Sequence, residues 1–327
     1  MTTKPTRNLA LELARVTEAA ALSAGRFMGR GDKEAADKAA VDAMRLVLNS
    51  IDMEAQIVIG EGEKDEAPML FNGEKVGTGK PPAVDIAVDP IDGTRPLADG
   101  FLNSISTVAI SPRGTMYDPG PFVYMDKIAV GPRAIGKINI EAPVAENLHR
   151  IAESEGKDIN DVTVVMLQRP RHVELIEEVR ECGARIRLIP DGDVAGALMT
   201  CLEETGIDVM LGIGGTPEGV LAACAIRAMG GELQGKLYAR NQEEREKGEE
   251  LGYDFERVIH MDDLVSSDDV FFAATGITNG ELLEGVRYIS KGAETDSLVI
   301  RGLTGSVRWI KAKHNFDRLN PISEIEY

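Results

Sequence analysis

Aromatic residues make up only 5% of this 327-residue chain, which has a single tryptophan, three cysteines and four histidines. So few rings leave few platforms for stacking nucleic-acid bases. Cys182, Cys201 and Cys224 are odd in number, widely spaced and without a histidine cluster, which argues against a disulfide framework or a zinc site and leaves buried thiols. His149, His172, His260 and His314 are scattered, so none is a candidate for catalysis. No run of about 18 apolar residues occurs. Charge also interrupts the N-terminal "MTTKPTRNLALELARVTEAAALSAGRF" every few positions, which fits an amphipathic helix better than a signal peptide. The expected location is the cytoplasm, with no membrane partner. Positive charge is scarce too: 36 Lys and Arg against 54 Asp and Glu leave a net charge of -18. Nucleic acid is therefore not an expected partner. The same acidity repels a phosphorylated metabolite, so a phosphate site here needs local metal ions, arginines or backbone N–H groups.

What is present is ordinary globular material, 43% hydrophobic, enough for one large core or two moderate ones. Leu9, Leu11, Leu13 and Val16, then Ala40, Met44, Val47 and Leu48, recur at helical spacing on either side of "GRGD". Strands follow in "AQIVIGEGEKDEAPM", "AVDIAVD", "NSISTVAISPRG" and "MDKIAVGP". Beyond about residue 160 strand and helix alternate, which predicts βα units with substantial parallel pairing. "RNQEEREKGEELGYD" reads as a solvated helix or loop, and "SLVIRGLTGSVRWIKAKH" as a hairpin. The fold class is α/β, in two halves, 1–160 and 161–327, with a soft boundary.

The chemistry starts in "AVDIAVDPIDGT". Val84, Ile86 and Val88 share one face of a strand and Asp85 and Asp89 the other, with Asp89 as the last strand residue. Pro90 and Gly93 take the chain out of the sheet, so Asp92 can curl back beside Asp89 at a strand's carboxyl end, where open α/β sheets place ligands. Alone, such aspartates could equally cap a turn. Two further acidic clusters, Asp32 to Asp37 and Glu61 with Glu63, change that balance, because unpaired like charges gathered together predict hard cations such as Mg2+ or Mn2+. Phosphatases that form an aspartyl-phosphate carry their two aspartates two residues apart; here the spacing is three, which favours a metal-activated water.

These residues carry a resemblance. "DPIDGT" after "IGEGE" resembles the lithium-sensitive, metal-dependent sugar phosphatases, and "GRGDKEAAD", "YMDKIAVGP", "IPDGDVA", "GIGGTPEGV" and "ATGITNGELLEGV" narrow it to the class II, bacterial-type fructose-1,6-bisphosphatases, from about residue 8 to 316. That class more usually has Glu where this chain has Asp92, which bears on ligand reach and metal preference. The resemblance implies a layered α/β sugar-phosphatase fold, with the metal site in the first half and the sugar-phosphate pocket completed by the second. It implies Asp37 and Glu61 on one metal, and Asp89, Asp92 and Glu218 on another. Two or more Mn2+ or Mg2+ ions are expected. Thr94 would orient the attacking water, with Glu61 and Asp92 completing the catalytic set. Asp37, in a loop or first helical turn, would on sequence alone be read as an N-cap. Glu63, Asp65, Glu66 and Asp85 are left as supporting or surface residues.

For the substrate the resemblance points to Gly93 and Thr94, Tyr124, Arg169, Pro170 and Arg171, Asp191, Gly192 and Asp193, and Gly215. "QRPR" follows a strand and offers two guanidinium forks for a remote phosphate; "PDGD" offers acceptors for sugar hydroxyls; "GIGGTPEG" opens a helix whose N–H groups favour an anion. The expected reaction is hydrolysis of fructose 1,6-bisphosphate to fructose 6-phosphate, a gluconeogenic step, without a covalent intermediate. The alternatives are an enzyme that also takes sedoheptulose 1,7-bisphosphate, an inositol monophosphatase, and a catalytically silent sugar-phosphate sensor. A homo-oligomer, dimer or tetramer, is expected.

Overall fold

A computed structural model of the chain describes residues 8–62, 69–325 and 327. Glu63, Asp65 and Glu66 lie outside the described residues. The order is α1 (Ala10–Ala24), α2 (Lys33–Asn49), β1 (Glu54–Ile59), β2 (Lys75–Val76), β3 (Ala83–Asp92), α3 (Thr94–Asp99), β4 (Ile105–Pro112), β5 (Tyr124–Val130), α4 (Val144–Glu155), β6 (Thr163–Leu167), α5 (Val173–Glu181) and β7 (Arg185–Ile189). It continues with α6 (Asp193–Met199), β8 (Val209–Gly215), α7 (Thr216–Met229), β9 (Glu232–Leu237), α8 (Gln242–Glu250), α9 (Met261–Leu264), β10 (Phe271–Gly276), β11 (Arg287–Ile289), β12 (Gly292–Arg301) and β13 (Ser306–Asn315).

An eight-stranded sheet runs β11-β12-β10-β4-β3-β1-β2, with β13 also paired to β12; a five-stranded sheet runs β7-β6-β8-β5-β9. Parallel pairing joins β1 to β3 and β6 to both β7 and β8. These elements stack in layers. Leu13, Val16, Met44 and Leu48 of α1 and α2 close one core against Ile57, Ile86, Val88 and Val108 of the larger sheet. Between the sheets, α6 and α7 bury Val194, Leu198, Val220 and Leu221 with Met125, Phe272 and Leu298. On the far side, Leu148 and Ile151 of α4 and Ile176 and Val179 of α5 cover Ile128, Val164 and Met166 of the smaller sheet. Each such fully buried side chain contributes about 1.5–3 kcal/mol. The result is a layered α/β fold of the sugar-phosphatase kind.

Three local readings change. β3 runs on through Asp92, with an irregular register between Asp89 and Asp92 that passes Pro90, which has no N–H for the ladder, over to β4. Of the three thiols expected to be buried, Cys224, in the middle of α7, alone is fully so, while Cys182 and Cys201 are partly exposed. β5 enters the smaller sheet between β8 and β9, and β10 to β13 return to the larger one. The "SLVIRGLTGSVRWIKAKH" hairpin forms as β12 and β13, and "RNQEEREKGEELGYD" contains the solvated α8. No described helix is long and apolar enough to cross a membrane.

Candidate active site

The carboxyl ends of β1, β3, β6, β7 and β8 and the start of β5 open onto one cleft of about 720 Å³ between the two sheets. Asp89 and Asp92 reach it from β3, Glu61 from just beyond β1, and Glu218 from the first turn of α7. Asp89 Oδ1 also accepts from Ile91 N at 3.1 Å, so this residue caps its own turn as well as lining the cleft. Asp92 is buried, and its Oδ2 accepts from Ala195 N at 3.4 Å. Gly192, at φ 85°, lets the β7–α6 turn pass under it: an added Cβ would stand 3.6 Å from Asp92 Oδ2.

Gly93 takes a left-handed conformation at φ 92° and starts α3 at Thr94. The Thr94 hydroxyl lies 3.1 Å from Asp37 Oδ1 and 3.2 Å from Ile91 O. Asp37 thus stands behind Thr94, on the second turn of α2. The N-cap is Asp32, whose Oδ1 accepts from Ala35 N at 3.0 Å, so the capping reading belongs to Asp32 and frees Asp37 to face the cleft residues.

The carboxylates sit close enough to perturb one another. Burial raises Asp89 well above the usual carboxylate range, with Asp92, Glu218 and Glu61 adding repulsion. Burial does the same to Asp92, with Asp193, Glu218 and Asp191 adding theirs. Glu61 opens to solvent at the cleft mouth, yet desolvation by the walls, then Asp37 and Glu218, push it up to about 7. Glu218 also rises to about 7, from burial first and Asp193 second, with Lys127 drawing it back. Asp37 is raised by burial and lowered by the Thr94 hydrogen bond. An all-oxygen set without sulfur or imidazole has the donor chemistry of a hard divalent ion. Among the described residues, no group of three or more His, Cys, Asp or Glu side chains is arranged to hold an ion as it stands.

The opposite wall is basic. Arg169 donates Nη2 to Asp191 Oδ1 at 2.8 Å and also bonds Pro190 O, so the two residues are mutual partners. Pro170 is itself exposed and outside the cleft lining, and it starts the 3-10 turn that carries the chain to Arg171. Arg171 donates Nε and Nη2 to Ile213 O at 3.2 and 2.8 Å and lies over the Tyr124 ring, 5.2 Å from its centroid. Arg240 covers the same ring at 5.8 Å. His172 is structural: Nδ1 meets Leu167 O at 2.7 Å and Nε2 accepts from Ile213 N at 2.8 Å, tying β6 to β8.

The anion site expected at "GIGGTPEG" does not form as a helix N-terminus. Thr216 N donates to Val123 O at 2.8 Å, Pro217 has no N–H, and the Glu218 carboxylate folds back over Gly215, where any Cβ would overlap it. Asp85 lies at the other end of β3, accepting from Gly114 N at 2.6 Å and pairing with Arg113 at 3.1 Å. Two residues had no assigned role, Arg240 and Lys127. Arg240 gives no local signal beyond following a strand. Lys127 does: it falls at an inward position of β5, in step with Met125 and Ala129, where a charge needs a reason.

Two helix-layered sheets around a cleft with one acidic and one arginine-bearing wall define a phosphatase of the layered α/β sugar-phosphatase kind. Within that class, residues 7–314 match the model of the family described as bacterial fructose-1,6-bisphosphatase, glpX-encoded, and the chain belongs to that family. It is 46% identical over 332 aligned positions to "Fructose-1,6-bisphosphatase 1 class 2" of Escherichia coli (strain K12), covering 98% of each chain. "Fructose-1,6-bisphosphatase class 2" of Shigella flexneri shows the same identity and coverage.

Proposed function

We propose that the chain hydrolyses the C1 phosphate of fructose 1,6-bisphosphate, giving fructose 6-phosphate and phosphate, with Asp37, Glu61, Asp89, Asp92 and Glu218 as the ligands of two or more Mn2+ or Mg2+ ions. The observation that carries this is the pairing of a carboxylate wall with an arginine wall in one cleft, which suits a molecule with a phosphate at each end. When bound, the ions supply a water of lowered pKa and neutralise the transferring phosphoryl group.

The chain's own residues supply orientation. The Thr94 hydroxyl donates a hydrogen bond to Asp37 Oδ1, which leaves an Oγ1 lone pair to accept from the attacking water. Water adds to phosphorus as the bond to the C1 oxygen breaks, one water proton ending on that oxygen and the other staying with the released phosphate, and no enzyme atom enters the covalent path. Asp191 and Asp193 each commit one oxygen, to Arg169 and Lys127, and keep another for sugar hydroxyls. Arg171, with Tyr124 beneath it, receives the phosphate that is not cleaved. The ring-stacked guanidinium favours a bisphosphate over inositol monophosphate. An intact Asp37–Thr94 contact favours an enzyme over a silent sensor.

We place the enzyme in the cytoplasm as a homo-oligomer serving gluconeogenesis, the assembly being measurable by light scattering on the eluting protein. The deciding experiment is phosphate release from sugar mono- and bisphosphates, sedoheptulose 1,7-bisphosphate included, with each metal and with chelator. Chelator-resistant turnover removes the mechanism, and equal rates on monophosphates remove the two-walled reading.

A further inference from the structure

Lys127 is the cation that the rest of the site leaves unexplained. Its side chain is 97–98% shielded from water, in a chain with 18 more acidic than basic residues. The ammonium donates to Asp193 Oδ2 at 2.5 Å and to Gly215 O at 2.9 Å. Those two acceptors belong to different turns: Asp193 opens α6 after β7, and Gly215 closes β8 immediately before α7. Its stem is held as closely, since a Cβ on Gly219 of α7 would come within 3.2 Å of Lys127 Cδ. Gly214 completes the packing: a side chain there would overlap Asp193 Oδ2 and approach Lys127 Nζ to 2.9 Å. Two successive glycines thus let a lysine and two carboxylates, Asp193 and Glu218, close on bare backbone.

Burying an ammonium is costly unless it is paired and hydrogen-bonded. A methionine would fill the same space without that cost. The charge therefore has a role that apolar packing would not serve. We infer that Lys127 is a positioning residue for the hydrolysis, fixing Asp193 and the Gly215 turn together so that the sugar-hydroxyl acceptor and Glu218 face the cleft in one geometry. It has two arms. Through Asp193 it presents the oxygen left for substrate, which governs KM. Through Gly215 it sets the start of α7 three residues before Glu218, which governs kcat. The inference rests on the site assignment above, in which Asp193 meets the sugar and Glu218 a metal.

The test uses Lys127→Met, Asp193→Asn and the double variant, with Glu218→Gln as control, assayed on fructose 1,6-bisphosphate at saturating Mn2+. Lys127→Met is expected to raise KM and lower kcat, each about tenfold, within the 10–100-fold range typical of residues that orient ligands. On the Asp193→Asn background the KM effect should vanish while the kcat effect stays. If unpaired Asp193 prevents the single variant from folding, the neutral Lys127→Met/Asp193→Asn pair is compared with Asp193→Asn, and a kcat about tenfold lower is expected. A folded Lys127→Met with both constants within twofold of the parent overturns the inference, as does a double variant whose kcat equals that of Asp193→Asn. So does a KM effect undiminished by Asp193→Asn. A parent-like KM in Asp193→Asn or a parent-like kcat in Glu218→Gln overturns the site assignment instead, whatever Lys127 does.

Discussion

Replacing Arg171 by Ala isolates the phosphate that is not cleaved. Two of its N–H bonds, from Nε and Nη2, are committed to Ile213 O at 3.2 and 2.8 Å, which leaves Nη1 and one N–H of Nη2 for a ligand. The guanidinium is exposed and rests on Tyr124, so its loss costs the fold little. A charge-assisted hydrogen bond of this kind contributes about 1.5–3 kcal/mol. KM for fructose 1,6-bisphosphate should therefore rise roughly tenfold to a hundredfold, at about 1.4 kcal/mol per decade. The proposed function puts the transferring phosphate at the carboxylate wall, so kcat should hold. A substrate with only the reacting phosphate never reaches the guanidinium and should be indifferent to the change. Arg171→Lys should recover only part of the loss, because an ammonium cannot reproduce the fork. Phosphate release measured against mono- and bisphosphates reads all of this. If both substrates weaken equally, Arg171 acts at the reacting end or on the fold, and the placement of the second phosphate fails.

Asp89→Asn should lower turnover by well over a hundredfold, beyond the loss typical of an orienting residue, while raising the melting temperature of metal-free protein by relieving repulsion from Asp92, Glu218 and Glu61; a rate within tenfold of the parent counts against Asp89 as a ligand. Thr94→Val keeps the shape and removes the hydroxyl that bonds Asp37, so kcat should fall about 10²–10³-fold with KM nearly unchanged; an unaltered kcat returns Thr94 to a capping role. Glu61 and Glu218 rise from an ordinary 4.5 to about 7 on folding, so between those values the folded protein binds more protons than the unfolded chain. The contribution of these two groups to stability without metal is then fully present below about pH 4.5 and is lost as pH rises through about 7. Melting curves in chelator should show that slope, flattened by Glu218→Gln and by saturating Mn2+; a melting temperature that climbs with pH refutes it.

Much of this was legible because local spacing carried it. Asp89 and Asp92 flank a proline at a strand end, and Arg169, Arg171, Asp191 and Asp193 each follow a strand that pairs in parallel. The alternation after residue 160 delivered β6 to α7 in order. Features set by distant pairing were not legible. Asp37 and Asp32 lie five residues apart in one acidic run, and only the packing of α2 beside Thr94 shows which one caps and which one turns inward. The insertion of β5 between β8 and β9 leaves no trace in the local period, and without it Lys127 has neither Asp193 nor Gly215 to meet. The helix start after "GIGG" carried the right residue types for an anion site. Tertiary contacts with Val123 and Glu218 had already used it.

The middle of α7 is built from Ala222, Ala223, Cys224 and Ala225, all buried between the two sheets. The larger sheet brings Asp89 and Asp92 to the cleft and the smaller one Arg169 and Arg171, so the thickness of this helix acts as a spacer between those groups. A larger residue at Ala222 or Ala223 would wedge the sheets apart, and a lineage or a designer seeking a longer bisphosphate has in that helix a dial that touches no ligand. Turning it spends stability, because the same side chains serve both sheets at once.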